Sequence, residues 1–422
     1  MQQFPKLVRI RQEFRATRLD DVEGRVAELL AGARLGERIK PGARIALTAG
    51  SRGIRDKARV LRALAAGLRA AGAQPFVVPC MGSHGGATPQ GQIDVLATLG
   101  ITEESVGAPI VSSLDTVSVA TSRFGTPVLV GRDLAEADGI VVVNRIKAHT
   151  DFAASVESGL VKMMVIGMGK EAGATLAHNL TLHHGHEAVF IEYATRTMGA
   201  LPVLFGVGII ENQLDETSMV ELLEPASLIE RESELLVVAR ERMAQLPFDQ
   251  IDVLVVDEIG KNISGAGMDP NITGRRTLTW TPPPPRPRVV RIFPRGLTAE
   301  THGNACGIGA ADVTTRHLAD AIDWPVTHIN CLASAAPEDG KLPLVFDSDR
   351  DALSACFGTC GRTDPADVRL VWISDTLALE HMAISEALLP EALAQANVRQ
   401  LGEPFDLTFD GKGNTESPVR PA

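Results

Sequence analysis

No Cys-x-x-Cys pair occurs in the 422 residues, and the five cysteines, Cys80, Cys306, Cys331, Cys356 and Cys360, are scattered along them. A disulfide framework is not expected from that distribution, and the cytoplasm is the expected compartment. Basic charge is in deficit: 41 Lys and Arg against 52 Asp and Glu leave a net charge of -11. Nucleic acid is therefore not an expected partner, because phosphate backbones need a basic surface. A small anion needs only a local pocket and stays open. Long apolar runs are missing too, and none approaches the roughly 20 residues of a spanning helix. The opening "MQQFPKLVRIRQEFRATRL" lacks the uninterrupted apolar core of a secretory signal, so no membrane association is expected. Tyrosine is almost absent; Tyr193 is the single one.

What is present is an apolar fraction of 45%, ample for buried cores, in a chain long enough for two domains. "RIALTAG" (44–50), "QPFVVPC" (74–80) and "GIVVVNRIK" (139–147) read as buried strands. Between them, "RDKARVLRALAAGLRAAG" (55–72) and "QGQIDVLATLG" (90–100) have helical period, and "VSVATSRFGTPVLVG" reads as a hairpin about Phe-Gly. The order predicts an α/β fold with a largely parallel sheet in the first of two α/β domains, and an active-site cleft between the two. The expected boundaries are 1–248 and 249–422. Residues 218–247 read as connector helices, and "FDLTFDGKGN" near the end reads as a final strand.

Three polar groups follow three of these strands. Ser51 and Arg52 follow the first, His84 the second, and Lys147 and His149 the third. Strand ends of a parallel sheet share one edge, where ligands bind. Arg52, in Gly-Ser-Arg-Gly ahead of a helix, suits an anion. Lys147 reads as structural. "SGLVKMMVIGMGKEAGATLAHN" (158–179) then sets Lys162 in an apolar run. It is either a snorkelling side chain or an amine made nucleophilic by desolvation. His178, His183, His184 and His186 follow, in a spacing that matches no common zinc pattern.

As a set, these residues resemble the nickel-dependent lactate racemases and their homologues. That resemblance covers roughly residues 40–200 and rests on "SGLVK", "TLAHN" sixteen residues later, "GSHGG", "KAHTD" and Arg52. It implies a racemase or epimerase of a 2-hydroxy acid, an isomerase working by hydride transfer. The implied cofactor is a covalently bound nickel-pincer nucleotide, pyridinium-3,5-bisthiocarboxylic acid mononucleotide nickel. Lys162 would be its tether, with Ser51, Ser158 and Gly159 beside it, and His178 would ligate the nickel. His84 and His149 would be the acid/base pair, and Arg52 the carboxylate partner. The chain departs from the racemases at Ala49, Leu160 and Val161, and has no tyrosine in its second domain. The counterpart substrate segment is "GKNISGAGMDPN" (260–271), with Lys261, Asn262 and Asn271, which points to a polar substrate larger than lactate. The implied partners are that 2-hydroxy acid and the cofactor-synthesis enzymes. Two other readings compete: a non-catalytic anion- or nucleotide-binding homologue, and a zinc hydrolase using the His178–His186 cluster.

Overall fold

A computed structural model describes residues 4–419. The chain packs as two units. One comprises Ala16–His149 and Ala154–Met243; the other gathers the N-terminal residues through Arg15, Thr150–Ala153 and the chain from Ala244 onward.

In the first unit a five-stranded sheet runs in the order Gln74–Pro79, Arg44–Ala49, Gly139–Arg145, Val203–Glu211, Thr217–Leu223. The first four strands are parallel and the last is antiparallel to its neighbour. Strands covered on both faces must be apolar on both, and Arg44–Ala49 and Gly139–Arg145 are buried along nearly their whole length. Helix Lys57–Ala70 buries Val60, Leu61, Leu64 and Leu68 into a core shared with Val22, Val26, Leu47, Val77 and Val141. The expected hairpin is present, Thr116–Thr121 pairing antiparallel with Pro127–Gly131.

The stretch 218–247 is not wholly helical. Thr217–Leu223 is the edge strand, and only Leu228–Glu241 is an α-helix. Asn212 is the reason: its Oδ1 accepts from the N–H groups of Leu214 and Glu216, so the chain turns back on Val203–Glu211 as a hairpin. Pro225 then opens a short 3-10 turn that separates strand from helix.

The second unit has a six-stranded mixed sheet in the order Arg288–Leu297, Gln250–Ile259, Leu370–Ile373, His381–Ser385, Leu7–Gln12, Val398–Phe405. Leu7–Gln12 therefore lies outside the expected 1–248 body. It pairs with His381–Ser385 and buries Leu7, Val8 and Ile10 completely. The final strand is Val398–Phe405, earlier than read; in the tail after it the Asp410 carboxylate caps a turn by accepting from the N–H groups of Lys412 and Asn414. No helix among the described residues is long and apolar enough to cross a membrane.

Candidate functional site

Parallel register puts three site-bearing segments at one edge of the first unit's sheet. Leu47 sits opposite both Val77 and Val141, so the chain leaves Ala49, Pro79 and Arg145 on the same side. Buried lysines hold two of these exits. Lys57 Nζ donates to the Gly50 carbonyl at 2.6 Å, just before Ser51 and Arg52. Lys170 Nζ donates to the Pro79 carbonyl at 2.7 Å, at the start of the loop to His84. Burial, with the Arg145 charge behind it, pushes Lys57 down to about 7.

His84 rides a turn pinned by Gln92, whose amide donates to the Gly82 carbonyl at 3.0 Å. Gly85 is required there twice over. Its φ is +70°, and a Cβ would lie 2.4 Å from the carbonyl carbon of Gly91. Gly91 itself is held by the Thr88 cap of helix Pro89–Thr98.

After Gly139–Arg145 the chain makes a closed excursion. Lys147 and Ser158 exchange backbone hydrogen bonds at 2.8 and 3.2 Å, and the loop between them carries His149. Glu157, 2% exposed, organises that loop. Its carboxylate accepts from His149 N at 2.6 Å and Ala154 N at 2.9 Å, and pairs with Arg240. Lys147 thus contributes backbone to the bridge. Lys162 follows in the single turn Leu160–Lys162, then a π-helical turn Met163–Gly167, then helix Lys170–His184.

This arrangement brings Lys162 and His149 together: the Lys162 amine hydrogen-bonds His149 Nε2. His149 is 5% exposed, and its basicity falls well below the ordinary histidine range. Burial is the main cause, followed by the charges of Lys162, His186, His178 and Lys147. The imidazole is therefore neutral at neutral pH, and Nε2 is the nitrogen able to accept from an ammonium.

His178 belongs to the same neighbourhood because the helix is broken. Sixteen residues of continuous α-helix would carry it roughly 24 Å from Lys162. The π turn and the left-handed φ of +54° at Lys170 reorient the chain instead. His183 and His184 diverge, His184 stacking on Phe124 at 4.3 Å and His183 being exposed, whereas the His186 charge is felt at His149. Among the described residues no three His, Cys, Asp or Glu side chains form a metal-holding group. Tyr193 is structural, buried with its hydroxyl 2.8 Å from Thr126 Oγ1.

The second-unit candidates are tied into their own loops. The Lys261 amine donates to the Gly265 carbonyl, Asn262 Oδ1 accepts from Thr298 at 2.6 Å, and the Asn271 amide donates to Asp269 at 2.9 Å. The same unit has a recess that the sequence did not reveal, lined by Thr150, Asp151, Met268, Arg276, Thr277 and Asp339 among others. Gly307 also reaches it. Burial and then the Asp151 charge push Asp339 up to about 6, against the hydroxyl of Thr277. Thr150 and Asp151 end "KAHTD" and Met268 lies in "GKNISGAGMDPN", but Arg276, Thr277 and Asp339 belong to no motif, and these segments lie far apart in sequence.

Comparison with known proteins bears on the stretch that holds the Lys162–His149 pair. Residues 10–189 match the lactate racemase N-terminal domain family. The matched stretch contains Ser51, Arg52, His84, His149, Ser158, Gly159, Lys162 and His178. The structure of the lactate racemase apoprotein from Thermoanaerobacterium thermosaccharolyticum is similar over 88% of this chain and 99% of that one, at 12% identity and a TM-score of 0.49. No curated protein sequence matches the chain.

Proposed function

We propose that this protein racemises or epimerises a polar 2-hydroxy acid by hydride transfer, using a nickel-pincer nucleotide tethered to Lys162. The observation that carries the reading is the Lys162 amine on the neutral imidazole of His149, in a segment matching the racemase family. The residues suit such a group. A primary amine is half-buried among apolar neighbours beside a base, and His178 stands near. The pincer has sulfur and carbon donors of its own, so a single protein imidazole, that of His178, would suffice to hold the nickel. Ser51, Ser158 and Gly159 would line the cofactor site. Cofactor-synthesis enzymes are the partners this requires.

When bound, the group supplies a hydride acceptor, which spares the reaction a poorly stabilised carbanion. The chain supplies the rest. Arg52 holds the substrate carboxylate as a planar two-point partner. Oxidation at C2 frees the hydroxyl proton, and a neutral imidazole takes it. Two imidazoles, His84 and His149, serve the two enantiomers. A tether that left the Lys162 nitrogen uncharged would remove one of the causes that weaken His149 as a base.

The test uses protein produced with the cofactor-synthesis enzymes. A mass increment on the Lys162 peptide, absent in Lys162→Ala, is expected. Single-enantiomer 2-hydroxy acids in deuterated water should then invert without deuterium at C2, with sugar acids or hydroxy-diacids ahead of lactate. No increment and no inversion would favour the non-catalytic binding homologue. Stoichiometric zinc with no nickel would favour the hydrolase.

A further inference from the structure

Two buried carboxyls serve the Lys162 region, and they differ in one respect. Glu157 has Arg240 as counter-ion. Glu232, on helix Leu228–Glu241 and 1% exposed, has no hydrogen-bonded cation. One of its oxygens accepts from Leu160 N at 2.7 Å and Val161 N at 2.9 Å. Its other oxygen, Oε1, has no hydrogen-bond partner among the described residues. Burial pushes the group up to about 7 while the two N–H bonds pull against it. A carboxyl in such a place is costly, and an apolar side chain would fill a buried helix position at less cost.

The carboxyl also dictates its surroundings. A Cβ at Gly159 would lie 2.1 Å from Glu232 Oε1, so the glycine of "SGLVK" makes room for this acid. Asn144 holds the same residue from the other side, its amide donating to the Gly159 carbonyl at 2.8 Å. The turn that ends in Lys162 is thus gripped at its first two N–H groups and at the preceding carbonyl. Nothing in residues 158–179 announces this, because Glu232 lies outside the matched stretch.

We propose that Glu232 is a positioning residue: it fixes the Leu160–Lys162 turn so that the Lys162 amine stays against His149 Nε2, poised for cofactor attachment. This rests on the tether reading of Lys162 for its purpose, though not for its geometry. It accounts for a buried acid that the chemistry at the substrate does not use.

Two measurements on full-length protein test it. The first is the imidazole 15N shift of His149 at fixed pH 8 in unloaded protein, with Lys162→Met defining the shift when the contact is absent. Glu232→Leu should move His149 to the Lys162→Met value. Glu232→Gln, which keeps an acceptor for the two N–H groups, should retain the wild-type value. The second is the rate at which the mass increment appears on the Lys162 peptide, expected to fall roughly 100-fold in Glu232→Leu, the scale of a misplaced reacting group. Glu232→Gln should restore it to near the wild-type rate. If Glu232→Leu does not fold, Gly159→Ala, which displaces the carboxyl without deleting it, must reproduce the His149 shift. A wild-type His149 shift in Glu232→Leu, or a Glu232→Gln protein that behaves as Glu232→Leu does, overturns the proposal. A wild-type protein that never gains mass at Lys162 overturns the tether reading alone, and the 15N arm still judges Glu232.

Discussion

Removing the Lys162 charge should raise the pKa of His149, and the size of the rise can be worked from their contact. The amine and the imidazole are hydrogen-bonded, and Lys162 is the first-ranked charge weakening His149, after burial. Two unit charges ~4 Å apart in an effective dielectric of ~20 interact by about 4 kcal/mol. Lys162→Met should therefore lift the His149 titration, while burial keeps it below the ordinary value of about 6.5. Lys162→Arg, which keeps the charge, should lift it far less. The assay is an NMR titration of 15N-labelled histidine side chains, with His149→Gln to assign the resonance. Linkage supplies a second readout. The native state resists protonating His149, so below about pH 6.5 the unfolded chain binds more protons and stability falls with pH. In Lys162→Met that acid-side slope should shrink. A His149 midpoint that moves by less than about 0.5 unit in Lys162→Met would refute the reasoning, because a contact ammonium cannot be so weakly felt.

Glu232 should work in the opposite sense. Its native pKa of about 7 exceeds the ordinary carboxyl value, so stability falls as pH rises from about 4.5 through about 7. The 2.5-unit gap is roughly 3 kcal/mol, so Glu232→Gln should gain stability by up to that amount at pH 8 relative to pH 4.5, read by denaturant melts at both; an equal effect at both values would contradict the buried-acid account. Gly159→Ala should destabilise by about 1–3 kcal/mol, since the new Cβ overlaps the Glu232 carboxyl; a neutral effect in a thermal melt would show that the carboxyl has room to move. His178→Ala should lose nickel on loading, measured by elemental analysis, while the mass increment at Lys162 remains. His84→Ala or His149→Ala should keep that increment and lower turnover by at least about 100-fold, the scale of a lost general acid or base; near-full activity in either would make that histidine structural.

Local chemistry was sufficient for much of the first unit. Apolar runs such as "RIALTA" and "GIVVVN" can only be strands buried on both faces, and the amphipathic period of 57–70 can only be a helix laid on them. The polar residues after each strand follow from that, because parallel strands place their ends together whatever their side chains. Composition likewise set the net charge of -11 and the absence of any apolar run of membrane length. Long-range pairing lay beyond such signals. Thr217–Leu223 became a strand because Asn212 turned it back on a neighbour, against a pattern that read as helix. Leu7–Gln12 joined the second sheet because its partners, His381–Ser385 and Val398–Phe405, lie some 370 residues or more away. The site divides the same way. Lys162 and His149 were visible as residues, but their hydrogen bond depends on a loop closed by Lys147 and Ser158 and braced by Glu157. Glu232 was invisible, one acid among several on a charged helix. Only folding could select it, because burial is decided by what the whole chain packs around a side chain, and a sequence motif records only its neighbours along the chain.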